Sequence, residues 1–293
     1  MGALGYYLAL PFLYGIAVLP FPVLYFLSDL LRFVLFTVIG YRRKVVLTNL
    51  RNSFPQKSEA EILRIAADFQ QWFCDLVVET LKTLTISPNV LKERVEFTGT
   101  ELLRDFAAKN QSIIIVLGHF GNWELAGARY SAEVGLPQLY VIYHPLQNKH
   151  FDGLMYRMRT RLGTKLYTMR ETSKAMLRDR PLNTATAFIA DQTPSPERAY
   201  WMTFLEQDTP VFQGTEALSR KLDYPVVYIS ITRPKRGYYR MVAETLVEDP
   251  RRTKEGEITE IHTRRLERDI RNYPDLWLWT HRRWKHSRPS GVT

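Results

Sequence analysis

The sequence has only one cysteine, Cys74, among 293 residues, which excludes an intramolecular disulfide and a cysteine-based metal cluster. Cys74 lies in an apolar helical stretch, which favours a small buried side chain over a nucleophile. Other signatures are missing too. There is no G-x-S-x-G elbow of a serine hydrolase, no P-loop or G-x-G-x-x-G turn for nucleotides, and no H-E-x-x-H metal helix. The sequence therefore gives no support to serine-nucleophile, nucleotide-dependent or helical-zinc chemistry.

Charge is absent from residues 3–27, a run long enough to span a bilayer if it formed one helix. Prolines within the run argue against one straight helix. We therefore predict two apolar segments, roughly 3–19 and 23–39, hinged at Leu19-Pro-Phe-Pro22. The basic cluster Arg42-Arg-Lys44 follows directly and favours the cytoplasmic side of a membrane.

The second apolar segment contains Asp29 and Arg32, which are three residues apart and able to pair on one helical face. Such a pair suits a membrane interface better than the bilayer centre. A cleavable signal is not indicated, because a basic n-region and a small-residue cleavage site are both missing. The alternative is a buried helical hairpin in a soluble protein.

The net charge of +10 is concentrated in two blocks. Residues 149–180 carry nine Lys or Arg against three Asp or Glu, and residues 251–293 carry eleven against six. Clustered positive charge suggests an anionic partner, which could be nucleic acid, a phosphorylated small molecule or an anionic membrane.

From residue 94 onward the pattern alternates between strands and helices, after a helical region over residues 45–93. The candidate strands are Val95–Thr98, Ser112–Gly118, Leu139–Tyr143, Thr184–Ala190, Pro225–Thr232 and Tyr239–Ala243. The candidate helices are Thr100–Lys109, Asn122–Val134, Lys149–Leu162, Thr172–Arg178, Gln213–Leu222 and Glu257–Asn272. This alternation predicts an α/β fold, with a mostly parallel sheet covered by helices on both faces and an N-terminal apolar helical membrane anchor.

We predict three segments. Residues 1–40 form the membrane anchor or interfacial helices, residues 41–93 form a helical segment that packs on the catalytic domain, and residues 94–293 form the α/β catalytic domain.

The sequence His119-Phe-Gly-Asn-Trp-Glu124 is the strongest functional candidate. It follows the apolar run Ser112–Gly118, and the carboxyl ends of parallel strands are where open α/β sheets bind ligands. A histidine with a carboxylate to orient it is suited to activating a hydroxyl, and Glu124 in the first helical turn could return to His119. The alternative is that the two residues fall five apart by chance.

Further candidates lie at the ends of other predicted strands. Asp191-Gln192 closes one apolar run, and His144 follows another. Arginines within residues 149–180, among them Arg161 and Arg170, could contact phosphate. Near the carboxyl terminus, Trp277-Leu-Trp-Thr-His-Arg-Arg-Trp-Lys-His286 interleaves aromatics with cations, which suits either stacked bases or an amphipathic edge at lipid headgroups; the apolar amino terminus favours the second.

These motifs together resemble the lysophospholipid acyltransferase superfamily, in its lipid A biosynthesis branch of lauroyl and myristoyl acyltransferases. His119-Phe-Gly-Asn-Trp-Glu124 is similar to the H-x4-[D/E] motif of that group. Five further segments match in order along nearly the whole chain: Asn49-Leu-Arg-Asn-Ser-Phe-Pro55, Tyr143-His-Pro145, Asp191-Gln192, Gly214-Thr215 and Trp279-Thr-His-Arg-Arg-Trp-Lys285. His144 stands where the family usually has arginine, and Thr193 where many members have a second acidic residue.

The resemblance implies direct acyl transfer from a thioester to a hydroxyl of an acceptor lipid. His119 would be the general base and Glu124 would hold its tautomer. Substrate-binding candidates are Asn122, His144, Arg161, Arg170, Asp191, Gln192, His281, Arg282 and Arg283. The two departures leave the acceptor open between a lipid A precursor and another glycolipid, an amino-acid lipid or a lysophospholipid.

The resemblance implies no cofactor or metal. It implies acyl carrier protein as donor, with acyl coenzyme A as the alternative co-substrate. The expected partners are that carrier, a lipid acceptor in the membrane and an anionic phospholipid surface, with no nucleic acid. The expected location is the cytoplasmic side of a bacterial inner membrane. A non-catalytic, membrane-tethered lipid-binding protein is the competing class.

Overall fold

A computed structural model describes residues 3–289, and its centre is a seven-stranded sheet with the order β1-β9-β8-β2-β5-β3-β4. Neighbouring strands are parallel except β8 and β9, which are antiparallel. A separate two-stranded hairpin is formed by β6 and β7. The strands are β1 (Val95–Thr98), β2 (Ile113–Leu117), β3 (Gln138–Tyr143), β4 (Lys165–Thr168), β5 (Thr184–Ile189), β6 (Tyr200–Phe204), β7 (Gln207–Val211), β8 (Val226–Lys235) and β9 (Tyr238–Val247).

Eleven α-helices surround the sheet in the part of the chain that the structure describes. They are α1 (Ala3–Val18), α2 (Phe21–Arg32), α3 (Arg43–Ser53), α4 (Glu59–Lys82), α5 (Pro88–Arg94), α6 (Thr100–Ala108), α7 (Trp123–Ser131), α8 (Lys149–Thr160), α9 (Thr172–Arg178), α10 (Gly214–Leu222) and α11 (Glu257–Asn272). A π-helical turn, Phe33–Val38, continues α2.

Strand β2 shows why the sheet is covered on both faces. All five of its residues are buried, and their side chains alternate between opposite faces. Ile113, Ile115 and Leu117 belong to the core formed with α6 and α7. Ile114 packs with α9 and α10, and Val116 packs with α3, α4 and α11. The predicted fold class, a mostly parallel sheet between helical layers, is confirmed.

The predicted elements agree closely with the observed ones where the hydrophobic pattern is long. The candidate helices Thr172–Arg178 and Glu257–Asn272 and the candidate strand Val95–Thr98 have the observed bounds. Three strands were not predicted, namely β4, β6 and β7. They are only four or five residues long, and β7 begins with Gln and Asp. Polar residues interrupt β4 and β7, and β6, although apolar, is too short to stand out in a search for long apolar runs.

The boundaries predicted at residues 40 and 93 fall between the π-helical turn and α3 and inside α5. Residues 1–2 of the predicted anchor and 290–293 of the predicted catalytic domain lie outside the described residues. The helical segment packs on the last part of the chain: the Asn49 side-chain amide donates to the carbonyl oxygens of Trp279 and His281, at 2.9 and 3.0 Å.

The two amino-terminal apolar segments form separate helices, α1 and α2, divided at Leu19-Pro20. The stretch Phe21–Val38 is long and apolar enough to cross a membrane by length and composition, and only 22% of it is buried within the protein. The predicted Asp29–Arg32 ion pair is wrong. Asp29 instead accepts a 2.6 Å hydrogen bond from Arg236, because the turn after β8 brings this guanidinium alongside α2.

A buried carboxylate fixes α2 to the rest of the protein. Asp75 on α4 is fully buried and accepts from the Ser28 hydroxyl of α2 at 2.7 Å. It also forms ion pairs with Arg236 at 2.6 Å and Arg233 at 3.3 Å. The turn that carries Arg236 needs glycine at position 237, where φ is +77° and a Cβ atom would lie 1.9 Å from the Tyr25 hydroxyl.

We expect Arg236→Met to lower the free energy of unfolding by about 3 kcal/mol, because it leaves the buried Asp75 with Arg233 as its only cation. Arg240→Met is the matched control, since Arg240 pairs with Glu96 at an exposed site worth about 0–1 kcal/mol. Denaturant unfolding of both variants in detergent measures the difference. Equal losses in the two variants would show that the Asp75 pair does not fix α2.

Candidate active site

His119 lies two residues beyond the carboxyl end of β2, and Asp191 lies two residues beyond the end of β5. Because these strands are parallel neighbours, their ends bring the two residues together. The imidazole Nδ1 is 2.7 Å from Asp191 Oδ1, and the His119 backbone N–H donates to Oδ2 at 2.8 Å. Asp191 therefore fixes both the backbone and the ring of His119.

The carboxylate of Asp191 is buried and ionised. Burial by itself raises the pKa of Asp191, but the charge of His119 and hydrogen bonds from His119 and the Trp277 indole lower it to about 2. Trp277 Nε1 donates to Oδ2 at 2.7 Å. An ionised carboxylate only accepts hydrogen bonds, so Nδ1 of His119 carries a proton, and in the neutral ring the lone pair is on Nε2. This is the tautomer that a general base needs.

The prediction that Glu124 orients His119 is wrong. Both oxygens of Glu124 accept from Arg159 on α8, at 2.6 Å to Nη2 and 3.1 Å to Nε. The Nδ1 side of His119 is already occupied by Asp191, and Trp123 packs against the ring edge to face, with centroids 4.9 Å apart. Asp191, at the end of the neighbouring strand β5, therefore has the orienting role that the spacing along the chain had indicated for Glu124.

The motif between His119 and Glu124 is held by a tight turn. Gly121 has φ +61°, and a Cβ atom there would lie 2.3 Å from the Ile231 carbonyl oxygen. Its backbone N–H donates to the carbonyl oxygen of Leu276 at 2.9 Å. Glycine is therefore required at this position to turn the chain from β2 into α7 against the carboxyl-terminal segment.

Asn122, predicted to bind substrate, is instead a fully buried helix cap. Its Oδ1 accepts from the Leu125 N–H at 2.9 Å and so begins α7. Its Nδ2 donates at 2.7 Å to Glu79 on α4, which also accepts from the hydroxyls of Tyr25 and Tyr239. Burial raises the pKa of Glu79, whose hydrogen-bonding partners are all neutral donors. Asn122 does not bind substrate, because both ends of its side-chain amide are used inside the protein.

A cavity of about 500 Å³ opens beside His119. Its walls are mostly apolar and come from the sheet and from helices α7 and α8. The polar groups that line it include His119, Gln192, His144 and the Glu124–Arg159 pair. Apolar lining residues are Ile115, Leu117, Leu139, Val141, Met155, Met158, Ala187, Ile189, Ile229 and Met241. An apolar group suits such a space.

Gln192 is the predicted residue nearest to the reactive nitrogen, with its side-chain nitrogen 3.4 Å from His119 Nε2. His144 and Arg170 are exposed, and His144 lines the cavity. Arg161 does not face a ligand, because its guanidinium donates to the backbone carbonyl oxygens of Thr83 and Ile86. Asp191 supports His119 and does not contact the cavity.

The carboxyl-terminal run was predicted to be an amphipathic edge, and this is wrong. Trp277 and Trp279 are buried in the core on the α4 side of the sheet. Arg283 is 2% exposed, and burial lowers its pKa to about 10, so it cannot contact a ligand in the cavity. His281 lies 3.3 Å from the Thr193 hydroxyl, and burial lowers its pKa to about 4. Of the three residues of this run predicted to bind substrate, His281, Arg282 and Arg283, only Arg282 is exposed.

The sequence does not single out two contributors to the site. Arg159 is one of the candidate phosphate-contacting arginines in the basic block 149–180, where composition alone does not separate it from its neighbours. Trp277 was noticed only as part of an aromatic run. The fact that its indole completes the hydrogen bonding of Asp191 depends on a contact between residues 86 positions apart.

A histidine held by a buried carboxylate thus lies beside a mostly apolar cavity, and no cysteine or serine lines that cavity among the residues that the structure describes. Residues 2–286 match the family described as bacterial lipid A biosynthesis acyltransferase, and the chain belongs to this family.

Named relatives in the same family are distant in sequence. The lipid A biosynthesis lauroyltransferase of Escherichia coli K12 is 25% identical over 292 residues, covering 98% of this chain and 92% of the relative. The palmitoleoyltransferase of the same organism is 24% identical over 277 residues, covering 93% and 88%. The myristoyltransferase is 23% identical over 163 residues, covering 55% and 50%.

Asp191→Asn is expected to lower kcat by about 10³–10⁴-fold with little change in KM, because the amide can donate to Nδ1 and reverse the tautomer. Since the pKa of Asp191 is about 2, the carboxylate is ionised at all ordinary assay pH values and the loss does not depend on pH. The contribution of Asp191 to stability is present above about pH 4 and is lost as the pH falls toward 2. The activity prediction is checked by measuring kcat and KM of acyl transfer as a function of pH. The stability prediction is checked by measuring unfolding as a function of pH.

Trp277→Phe serves as the control for this prediction, since it removes one donor to Asp191 and leaves His119 paired. It should retain more activity than Asp191→Asn. If Asp191→Asn kept activity within about threefold of the wild type while Glu124→Gln lost it all, Glu124 would be the residue that orients the base.

Proposed function

We propose that this protein transfers a fatty acyl chain from acyl carrier protein to a hydroxyl of a lipid A precursor, with His119 as the general base. The observation that carries the proposal is the Asp191–His119 pair at an apolar cavity of about 500 Å³. The cavity takes the acyl chain, which places the thioester carbon next to Nε2. The names of the relatives support lipid A chemistry.

The transfer needs one proton relay. Nε2 of His119 removes the proton from the acceptor hydroxyl while the oxygen attacks the thioester carbonyl carbon, and the imidazolium is stabilised by Asp191. As the intermediate collapses, the carbon–sulfur bond breaks and the imidazolium returns its proton to the leaving thiolate. The products are an ester and a free thiol.

We assign Glu124 an indirect role in this reaction. Arg159 is the only arginine or lysine that lines the cavity among the described residues. Glu124 takes two of its five N–H donors, which leaves others free to stabilise the negative charge that develops on the carbonyl oxygen. Glu124 therefore acts by holding the guanidinium, and His119 and Glu124 both remain necessary.

Acyl carrier protein is the proposed donor because it is acidic and this chain carries a net charge of +10. Part of the basic block 251–293 is neutralised within the protein, where Arg265 and Arg271 pair with carboxylates of α11. The remaining field still favours an acidic protein over a small donor. We also propose that the protein is bound through α1 and α2 to the cytoplasmic face of a bacterial inner membrane, where the acceptor lipid resides.

The test compares kcat/KM for acyl carrier protein and acyl coenzyme A, each at low salt and at about 0.5 M salt, where surface charges are largely screened. We expect the carrier to be preferred and its KM to rise with salt. His119→Ala should lose about 10²–10⁴-fold in kcat with either donor.

A higher kcat/KM with acyl coenzyme A, with weak salt dependence for both donors, would reject acyl carrier protein as the donor. Failure to acylate a lipid A precursor, with activity on another glycolipid or a lysophospholipid, would reject the acceptor. A His119→Ala variant with more than about a third of normal turnover would reject His119 as the general base. A wild-type protein that binds lipid but shows no turnover with either donor would favour a non-catalytic lipid-binding role.

Acyl chain length should depend on Gly127 of α7. This residue lines the cavity, and a Cβ atom added to it meets no atom within 4 Å. Gly127→Met should fill part of the cavity and shift the preference to shorter chains. The loss is about fourfold in kcat/KM for each methylene that no longer fits, since a buried methylene is worth about 0.8 kcal/mol. Competition assays with mixed acyl donors give the chain-length profile.

Gly153→Met is the matched control, because Gly153 also lies inside a helix but does not line the cavity. Its chain-length profile should equal that of the wild type. An unchanged profile in Gly127→Met would mean that the acyl chain does not lie along α7.

A further inference from the structure

The loops that follow β3 and β4 carry apolar side chains into solvent at the entrance of the cavity. We propose that Leu146 and Met169, which we call the entrance lip, insert into an anionic lipid bilayer, so that the acceptor lipid reaches His119 without leaving the membrane. The inference rests on the proposed function, which it extends by assigning a membrane contact separate from α1 and α2.

The entrance lip is exposed and yet fixed. Leu146 is 48% exposed and Met169 is 54% exposed, although both line the cavity. The Leu146 N–H donates to Asp152 at 2.8 Å, and the Met169 N–H donates to the Tyr143 carbonyl oxygen at 3.0 Å. Large apolar side chains held in solvent beside a binding site indicate a surface that is covered when the protein works.

Helix α1 lies beside this lip. The Tyr6 ring packs on His150 and Phe151, at the start of α8, with centroid distances of 5.1 and 5.4 Å. Its hydroxyl accepts from Arg157 at 2.8 Å. Helix α8 begins three residues after Leu146. The exposed ring of Tyr7 also packs on His150, with centroids 5.7 Å apart, and Leu8 and Phe12 are exposed on the same helix.

Helix α2 lies at the same edge of the sheet. Arg236, in the turn after β8, donates to the Tyr25 carbonyl oxygen at 3.2 Å and to Asp29 at 2.6 Å. Strand β8 runs in the same direction as β2, β5, β3 and β4, so this turn is at the carboxyl edge that also carries His119 and the lip. Phe26, Leu30 and Phe33 of this helical segment are more than half exposed.

The charge around the lip selects the kind of membrane. Lys149, Arg170 and Lys174 are exposed and lie within a few residues of Leu146 or Met169. Cations that flank apolar side chains bind anionic headgroups while the apolar groups enter the acyl layer. Continuity with the apolar faces of α1 and α2 favours a bilayer over a protein partner.

Because the only cysteine, Cys74, is buried, a cysteine introduced on the surface can be labelled selectively. Leu146→Cys and Met169→Cys are each labelled with the environment-sensitive dye NBD. The wild type, treated with the same dye, verifies that Cys74 is not labelled. Val134→Cys is the matched control. Val134 is apolar and 84% exposed, but it precedes β3 and so lies at the opposite edge of the sheet.

The labelled full-length proteins are mixed with vesicles of phosphatidylethanolamine and phosphatidylglycerol. At positions 146 and 169 we expect NBD emission to shift to shorter wavelength and quenching by aqueous iodide to be mostly lost. At position 134 both signals should stay unchanged. Nitroxide-labelled lipids should quench the first two probes and spare the third.

Co-sedimentation with vesicles is measured on the same samples, and acyl transfer is measured on the wild-type protein with the same vesicles. The protein could bind vesicles and transfer acyl chains while the probes at positions 146 and 169 remain as accessible to iodide as the probe at 134. In that case the lip proposal is wrong and the proposed function stands. The lip proposal is also wrong if the probes respond to acyl carrier protein and not to vesicles, or if all three respond alike. If vesicles protect the probes at 146 and 169 from iodide but the protein shows no transfer activity, the proposed function alone is overturned.

Discussion

The buried carboxylate of Asp191 is the interaction on which the active site depends. It accepts hydrogen bonds from the His119 backbone, the His119 ring and the Trp277 indole. A buried ion without these donors would cost several kcal/mol, so the two segments that supply them must both reach Asp191 for the fold to be stable. The same contacts direct Nδ1 of His119 to Asp191 and leave Nε2 facing the cavity. Stability and base chemistry are thus served by one side chain.

Two more buried carboxylates, Asp75 and Glu79, lie one turn apart on α4 and support this arrangement from behind. Asp75 holds α2 through Ser28, whereas Glu79 joins Tyr25 of α2 to Asn122 of the catalytic motif. The helix proposed to bind the membrane and the helix that carries Glu124 therefore share one polar network. Such a network is costly to disturb at any single member, because each loss leaves a buried partner unsatisfied.

The sequence predicted most of the fold because long apolar runs identify β2, β5 and the helices on either side. It located His119 for the same reason, at the end of β2. It assigned the wrong partner to His119, since spacing along the chain reports helix neighbours such as Glu124 and not the pairing of β2 with β5. The sequence also did not predict which polar residues are buried. Arg283 has the charged side chain expected of a ligand-binding residue but lies in the core.

The contact between Trp277 and Asp191 also orders events during synthesis. Residues 21–38 are made about 240 residues before Trp277, which corresponds to roughly 12–50 s at bacterial elongation rates. Over that interval the nascent chain has its apolar helices but lacks the indole that completes the acceptor set of Asp191. The helices proposed to bind the membrane are therefore made well before the catalytic base is complete, and acyl donors meet an active site only after the chain is nearly complete.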